Sequence, residues 1–385
     1  MKPVFGVRTA EIYLDNAATT MIDPDVVNDM RPFTEENYGN PETLYHLGRQ
    51  AKEAVDKARE QVAELLGCKP GRVFFTSGGT ESNNWALKGL KGSGNAIAIS
   101  SIEHPSVAKS AQAATSDGPL LKVIPVDALG LLKMDELEKA LAQRDVKLVS
   151  VQYANNEVGT VQPIREIAAM VHAKGAVFHC DAVQAFGKIP VIPEDDGIDL
   201  LSISAHKIHG PMGVGALYVK DGIALEPMMH GGPQEGGMRA GTTPVHQIVG
   251  FGAAAEKARC TMKDEAPRQL ALLKQLATSL AEMAKGERNG HPEKCLPNIL
   301  NMRFPVDASM LAATLNKEFG VCVACGAACA RSRPSQVLKA LGQTDARASQ
   351  AIRISLSRFT TEEHTRFLVG CIQPAIRVAL ERSAL

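Results

Sequence analysis

The stretch SISAHKIHGPMGVGALYV, residues 202–219, places a lysine directly after an apolar strand pattern. Lys207 ends the run, and two polar residues, Ser204 and His206, shortly precede it in the sequence. A buried lysine is costly unless it is paired, and burial lowers its pKa toward the range in which the amine is nucleophilic. On its own, the segment favours the simpler interpretation, in which the Lys207 side chain reaches from the strand end into solvent.

The sequence around this stretch alternates helix and strand patterns. Residues 43–67 carry an apolar stripe at steps of three and four, which predicts a helix that Gly67 ends. Short runs that are apolar on both faces predict strands, and helical segments separate several of them. These patterns indicate a mostly parallel sheet in a three-layer α/β domain. The predicted strands are RVFFTS, AIAISS, LLKVIPVD, VKLVSVQYA, AVFHCDA and DLLSIS.

Three further segments place polar residues at strand ends, where open α/β sheets bind their ligands. Asp181 ends one strand and Gln184 lies one helical step beyond it, while Asn156 follows another strand. The turn TSGGTESNN sets Gly79 and Thr80 at the start of a helix, whose first N–H groups can hold a phosphate. Each residue alone suits an ordinary turn or cap. Together, a phosphate cradle, a Schiff-base lysine and a carboxylate for a ring nitrogen describe a pyridoxal phosphate site.

A smaller α+β domain is predicted in the last third of the chain. A polar helix over roughly 261–286 precedes two strand patterns, LPNILNMRF and AIRISLSRF. Thr360 and Glu363 have the spacing of a capping box, which predicts the start of a final helix. The expected domains are a large one over 15–257 and a small one over 258–385, completed by 1–14.

Composition narrows the class of protein. The 385 residues suffice for two or three domains, and a hydrophobic content of 45% provides a large core. Charged residues make up 22% and the formal net charge is zero, which argues against a nucleic acid or membrane surface held by bulk electrostatics. The N-terminus lacks an apolar signal segment, so we expect the reducing cytoplasm and eight cysteines that are free, catalytic or metal-bound.

The ordered motifs of the chain resemble those of the cysteine desulfurases, fold-type I pyridoxal phosphate enzymes related to the class V aminotransferases. They cover nearly the whole chain, and their combination in one order is far more specific than any single motif. The resemblance implies a large domain with a mostly parallel sheet and a smaller α+β domain. The motifs are IYLDNAATT, YGNPETLYHLG, TSGGTESNN, EHPSV, NNEVG, DAVQAFGK, SAHKIHGPMGVGALYV, MRAGTTPVHQIVG, LPNILN and IRISLSRFTTEE.

The resemblance implies a role for each matching residue. Lys207 would carry the covalent link to the cofactor and move the substrate's Cα proton, while His104 would stack on the cofactor ring and take part in acid–base steps. Asp181 would keep the pyridine nitrogen protonated, and Gln184 would hydrogen-bond the phenolic oxygen. The phosphate would be bound by Gly79, Thr80, Ser204, His206 and the neighbouring subunit's Thr242. The substrate carboxylate would be bound by Arg353 and Asn156. Asn156 is also assigned to the cofactor.

Two of these assignments depend wholly on the resemblance. On the residues alone, His104 is an ordinary histidine of a surface loop. Arg353 belongs to a surface ion pair, because its strand alternates apolar and polar residues. The assignment of Thr242 in turn implies a homodimer with shared active sites.

Three cysteines, Cys322, Cys325 and Cys329, lie within eight positions of one another. A closed metal site would need a fourth ligand, and a Cys325–Cys329 disulfide would be a redox switch; both stay open as alternatives. The resemblance instead makes Cys329 the nucleophile, preceded by Cys-Gly-Ala-Ala where the family usually has Ser-Gly-Ser-Ala. The loop after Cys329 is about two residues shorter than usual, which removes up to roughly 7 Å of chain.

The expected activity is that of an L-cysteine desulfurase, in which the Cys329 thiolate takes the sulfur of cysteine as a persulfide and alanine leaves. The alternatives are a selenocysteine or cystine lyase and, outside catalysis, a redox- or metal-sensing scaffold built on the three cysteines. We expect a protein acceptor for the sulfur, such as an iron–sulfur cluster scaffold. We expect no resident metal, and neither a nucleic acid nor a membrane as partner.

Overall fold

The computed structural model describes residues 11–90, 96–115, 120–142, 145–325 and 334–383. Within these ranges, helices and strands alternate through the first two thirds of the chain, as predicted. The helices are α1 (Pro24–Met30), α2 (Pro32–Glu35), α3 (His46–Leu66), α4 (Gly79–Lys88), α5 (Pro105–Ala114), α6 (Met134–Ala142), α7 (Ile164–His172), α8 (Val245–Ala284), α9 (Ala308–Phe319), α10 (Gln336–Ala340), α11 (Asp345–Ala348) and α12 (Glu362–Ser383).

The strands of the described ranges pair into a large sheet, a smaller sheet and a two-stranded ribbon. They are β1 (Ile12–Tyr13), β2 (Val73–Thr76), β3 (Ala96–Ser100), β4 (Leu120–Ile124), β5 (Val146–Ser150), β6 (Val177–Asp181), β7 (Leu200–Ser204), β8 (Gly215–Val219), β9 (Glu287–Asn289), β10 (Ile299–Arg303), β11 (Val321–Cys322), β12 (Ala324–Cys325) and β13 (Ala351–Ser355).

The large sheet has the strand order β2-β8-β7-β6-β5-β3-β4, and its pairs are parallel except for the two that involve β8. Its strands are apolar on both faces because helices cover both. In β3, for example, Ile97 and Ile99 pack in the cluster that contains α4 and α5. The intervening Ala98 packs in the opposite cluster, with α3, α7 and α8. The mostly parallel sheet in a three-layer α/β arrangement is therefore confirmed.

The small sheet is antiparallel, with the order β12-β13-β10-β9. Its core is separate and comes from the second half of α8 together with α9, α12 and the strands. This confirms the smaller α+β region. None of the helices in the described ranges is long and apolar enough to cross a membrane.

The prediction of a helix over 261–286 is wrong about its start, because α8 begins at Val245. The earlier residues include glycines, which lower helix propensity. Here they permit close packing: a Cβ on Gly252 would lie 2.5 Å from the Cα of Ala58 in α3. The helix runs unbroken through the expected domain boundary, so the limits of the domains stay a prediction.

The predicted capping box of α12 is also wrong by one residue. Thr361, not Thr360, caps the helix: its Oγ1 accepts the His364 N–H at 3.3 Å, and the Thr361 N–H donates to His364 Nδ1 at 3.3 Å. The Thr360 hydroxyl instead accepts the N–H of Ser357 at 2.9 Å. A histidine thus fills the place of the predicted Glu363.

Candidate active site

The carboxyl end of the large sheet brings together most of the residues assigned to a cofactor. Asp181 ends β6, Ser204 ends β7, and Asn156 follows β5 after a short turn. β2 runs parallel to these strands because it and β7 are both antiparallel to β8, so Gly79 at the start of α4 reaches the same edge. Lys207 lies in a short 3-10 turn directly after β7. The parallel topology alone therefore makes these residues neighbours.

Asp181 is a buried carboxylate, 2% exposed, that only neutral groups hydrogen-bond. Its Oδ1 accepts the Val183 N–H at 3.0 Å, and its Oδ2 accepts Asn83 Nδ2 at 2.8 Å. No ion pair joins it to a cation within the described ranges. Each oxygen keeps a lone pair, so Asp181 can accept from a further, positively charged donor.

Lys207 is held by the N-terminal motif. Its Nζ donates to the backbone carbonyls of Ala17 and Ala18, at 2.6 Å each. Burial lowers the pKa of Lys207 to about 8, and the nearby guanidinium of Arg353 acts in the same direction, while Asp15 and Asp181 oppose it. The interpretation of Lys207 as a solvent-reaching lysine is therefore wrong, because the side chain is largely enclosed.

Gln184 is fixed from both ends of its amide. Its Nε2 donates to the Ala17 carbonyl at 2.9 Å, while Lys188 Nζ donates to its Oε1 at 3.2 Å and to its backbone carbonyl at 3.1 Å. Burial lowers the pKa of Lys188 to about 7, and the charges of Lys207 and Arg353 lower it further. Sequence reasoning missed Lys188, although its position four residues after Gln184 in a buried turn is a signal that could have found it.

The turn before α4 has the geometry of an anion cradle. Gly78 has a φ of 146°, which side chains rarely adopt, and Gly79 and Thr80 open the helix. The first N–H groups of a helix have no acceptor within it and lie at the positive end of its dipole. The turn sits close to β8: a Cβ on Gly215 would lie 2.8 Å from the Gly78 Cα.

Ser204 and His206 flank this cradle from the end of β7. Ser204 is buried at 2% exposure, and His206 Nδ1 lies 3.1 Å from the hydroxyl of Thr19. Burial lowers the pKa of His206 to about 4, and the charges of Lys207 and Lys188 add to the effect. His206 is therefore neutral at physiological pH and contributes hydrogen bonding rather than charge.

His104 is the N-cap of α5 at the end of β3. Its Nδ1 accepts the Ser106 N–H at 3.1 Å and lies 2.7 Å from Ser106 Oγ. Burial lowers the pKa of His104, and Lys207 adds to this effect, whereas Asp181 opposes it. His104 is consequently not the ordinary surface-loop histidine that the residues alone suggest.

Arg353 reaches the site from the middle of β13 in the small sheet. It is 6% exposed, its Nη1 donates to the Asn156 carbonyl at 2.9 Å, and its Nη2 pairs with Asp15 at 2.7 Å. Its Nε is buried and has no hydrogen-bond partner among the described residues. The prediction that Arg353 forms a surface ion pair is wrong, because its face of β13 points toward the core of the large sheet, in which Ala351 packs. The side chain of Asn156 is held apart from this, with Oδ1 accepting Gln152 Nε2 at 3.3 Å.

The described residues on either side of positions 326–333 lie beside these residues. On one side, Ala324 in β12 pairs with Arg353. On the other, Ser335 Oγ donates to the buried carboxylate of Glu157, within the turn ANNEVG. The segment therefore leaves and rejoins the described chain next to the groups expected to bind substrate.

Cys329, the expected nucleophile, lies outside the described residues, as does each alternative that joins it to Cys325 or to a metal. Burial raises the pKa of the Cys325 thiol. Cys322 Sγ accepts a hydrogen bond from Asn316 Nδ2 at 3.2 Å. Within the described ranges, no three His, Cys, Asp or Glu side chains gather as a metal site.

Thr242 stands apart from the other predicted residues. Its side chain is exposed, and none of the hydrogen bonds found among the described residues joins it to the site of its own protomer. Two bidentate ion pairs fasten its segment to the large domain: Arg239 to Glu81 at 2.8 and 3.0 Å, and Arg59 to Glu235 at 2.7 Å twice. Sequence reasoning missed both pairs because their partners are distant in the chain.

Comparison with known proteins gives consistent results. Residues 12–368 match the aminotransferase class-V family. The cysteine desulfurase IscS of Methanosarcina thermophila is 40% identical over 359 residues, which cover 91% of this chain and 88% of that one. The solved structure of a NifS-like protein has a TM-score of 0.90 at 38% identity, covering 96% of this chain and 100% of the other. A structure of SspA in complex with cysteine has a TM-score of 0.80 at 32% identity, covering 91% and 100%.

The residues at the sheet edge fit pyridoxal phosphate, the cofactor of this family. Asp181 offers an unpaired carboxylate to a protonated ring nitrogen, and the turn from Gly78 offers free N–H groups to a phosphate. Lys207 offers an amine whose lowered pKa suits covalent attachment. On fold, motif order and close relatives together, the chain belongs to the class-V aminotransferase family and, within it, to the pyridoxal phosphate-dependent cysteine desulfurases.

Proposed function

We propose that the protein removes sulfur from L-cysteine, holds it as a persulfide on Cys329 and releases L-alanine. The observation that carries the proposal is the meeting of Lys207, whose pKa is lowered to about 8, with the buried guanidinium of Arg353 at one sheet edge. One group can move a proton at the amino acid's Cα, and the other can hold its carboxylate. The relatives named as cysteine desulfurases and the cysteine complex of SspA support the choice of substrate.

The cofactor, when bound, supplies an electron sink for the negative charge that develops at the substrate Cα. Asp181 would hold the ring nitrogen, Gln184 the phenolic oxygen, and Asn156 a further edge of the ring. His104 would lie against the ring face. The phosphate would be held by Gly79, Thr80, Ser204 and His206.

Lys207 would serve as the base and acid at Cα. At pH 7, a pKa of about 8 leaves roughly a tenth of such amines unprotonated, far more than an ordinary lysine. The carbonyls of Ala17 and Ala18 hold the Nζ in place by accepting its hydrogen bonds, and they carry no full charge. Such a position lets the amine both lose and regain a proton during turnover.

Arg353 would bind the substrate carboxylate with Asn156. The Arg353 Nε, which lacks an acceptor in the described part of the chain, supports this role, because a buried guanidinium donor without an acceptor costs free energy that an incoming carboxylate removes. Planar guanidinium groups favour two parallel bonds to a carboxylate.

Cys329 would carry out the sulfur transfer. It lies four residues after Cys325 in the sequence. Its thiolate attacks the substrate sulfur, an S–S bond forms, and the C–S bond breaks with its electron pair left on Cβ. Protonation of Cβ gives alanine, so cysteine and an enzyme thiol become alanine and an enzyme persulfide.

Assembly and delivery are further parts of the proposal. Thr242, exposed on its own protomer, would complete the phosphate site of a partner subunit in a homodimer. Leu44, which lines the same pocket as Thr243, is 88% exposed, and Tyr38 and Tyr45 are 74% and 60% exposed, which suits a surface covered by a second copy. The persulfide would pass to an acceptor protein such as an iron–sulfur scaffold.

The test is the substitution Cys329→Ser, with Cys325→Ser as the matched control four residues away. We expect Cys329→Ser to abolish alanine release from cysteine and to keep the visible absorbance of the lysine-bound cofactor, because only the sulfur acceptor is lost. Cys325→Ser should retain alanine release. Full alanine release by Cys329→Ser would refute the proposal, and parallel turnover of selenocysteine and cystine would identify a lyase instead.

A further inference from the structure

A chain of buried hydrogen bonds runs from His104 to the carboxylate of Asp181. Ser106 Oγ lies 2.7 Å from His104 Nδ1 and 2.8 Å from Asn83 Nδ2. Asn83 Nδ2 also lies 2.8 Å from Asp181 Oδ2. Asn83, Ser106 and Asp181 are 1%, 9% and 2% exposed, so these groups depend on one another rather than on bulk water.

The direction of each bond in this chain follows from the chemistry of its members. A carboxylate only accepts, so Asp181 requires the nitrogen of the Asn83 amide to face it. The second hydrogen of that nitrogen goes to Ser106 Oγ, whose own hydrogen is then free for His104 Nδ1. The Ser106 N–H donates to the same Nδ1 at 3.1 Å. Two donors on one nitrogen leave Nδ1 no room for a proton.

We infer that Ser106 is a positioning residue that holds His104 as the neutral tautomer with its proton on Nε2. Nε2–H is then the only ring group that His104 can direct toward reacting atoms. A neutral imidazole in this state acts as a hydrogen-bond donor, a role known for histidines that polarise a substrate oxygen. The inference rests on the proposed function and sharpens it: His104 begins the cycle as a donor, not as a base.

The burial of His104 agrees with this assignment. Burial and the positive charge of Lys207 lower the pKa of His104, and Asp181 opposes them from the far end of the hydrogen-bond chain. Protonation of Nδ1 would set its hydrogen against the Ser106 N–H and break the bond from Ser106 Oγ. The imidazolium form is therefore disfavoured by geometry as well as by solvation.

The direct test is nitrogen NMR of the holoenzyme labelled with 15N-histidine, with the His104 signals assigned by their loss in His104→Gln. We expect the wild type to show an unprotonated Nδ1 and a protonated Nε2 at His104 from pH 6 to pH 8. Ser106→Ala should yield a mixture of tautomers or protonation within that range. Ser106→Thr, which keeps a hydroxyl, should restore the wild-type pattern, and Ser110→Ala in the same helix should leave it unchanged.

Kinetics provide a second readout. Ser106→Ala should lower kcat by about two- to tenfold, the effect of one neutral hydrogen bond, and shift the pH profile of kcat rather than KM. A protonated Nδ1 in the wild type, or unchanged tautomer and pH profile in Ser106→Ala, would overturn the inference. Failure of the proposed function is distinct, because it would appear as absent alanine release from the wild type.

Discussion

The large and small sheets contribute to the active site from different parts of their strands. The large sheet supplies residues at or beyond strand ends, such as Asp181 and Lys207. The small sheet supplies Arg353 from the middle of β13, where its guanidinium joins Asp15 and Asn156 from two other parts of the chain. Residues beyond strand ends can change without disturbing the sheet. We therefore expect substitutions at the large sheet to change activity without changing stability. Substitutions at the small sheet should change both.

Lys207→Ala should have the largest effect and leave stability nearly intact. Without the amine, the covalent cofactor link and the Cα proton carrier are both lost, so activity should fall by about a thousandfold or more. The free energy of unfolding should change by less than about 1 kcal/mol, because the lost bonds are offset by relief of a buried charge. Visible spectroscopy and denaturant unfolding measure the two quantities. Retained absorbance of the lysine-bound cofactor would contradict this account.

Arg353→Lys should damage both function and stability. Loss of a planar, charged donor set weakens substrate binding and raises KM for cysteine by about ten- to a hundredfold. The free energy of unfolding should fall by about 1–3 kcal/mol, since the buried Asp15 and Asn156 contacts are weakened. Asp15→Asn is the control: it should lower stability with a smaller effect on KM. A rise in KM without any loss of stability would break the proposed contrast between the sheets.

Lys188→Met should have the smallest effect on activity and reveal a lysine that loses its charge on burial. The pKa of Lys188 is about 7 in the folded protein and near 10.5 when unfolded. Between these values the unfolded chain binds the extra proton, so wild-type stability rises with pH. Relative to the variant, the wild type should gain up to about 1.4 kcal/mol per pH unit from pH 7 to 10. Paired unfolding curves across this range give the difference, and a flat difference would show that Lys188 stays charged when folded.

The sequence predicts the residues of the large sheet well because their placement depends on local patterns. Asp181, Asn156 and Lys207 each follow an apolar run, and parallel strands carry whatever follows them to one edge. Apolar faces and turn glycines likewise predict most helices and strands. The start of α8 escapes prediction because the glycines that weaken its helical pattern serve its packing against α3.

Residues that act through side-chain packing escape prediction from the sequence. Arg353 lies in an alternating strand whose other face, with Ile352 and Ile354, packs in the core of the small sheet. Arg353 itself is buried by contacts with Asn156 and Asp15, which are distant in the sequence. Lys188 and Ser106 lie within the motifs DAVQAFGK and EHPSV, but their significance lies in bonds to Gln184 and His104. Such contacts join distant strands or depend on one rotamer, which local patterns do not contain.

The central claim is that Cys329 receives the sulfur of cysteine at the site formed by Lys207 and Arg353. The most direct measurement is mass spectrometry of the holoenzyme after brief exposure to cysteine, with fragmentation of the peptide that contains Cys322, Cys325 and Cys329. We predict the added mass of one sulfur atom on Cys329, together with release of alanine. Added sulfur confined to Cys322 or Cys325, or alanine released with no added sulfur on any of the three, would contradict the account.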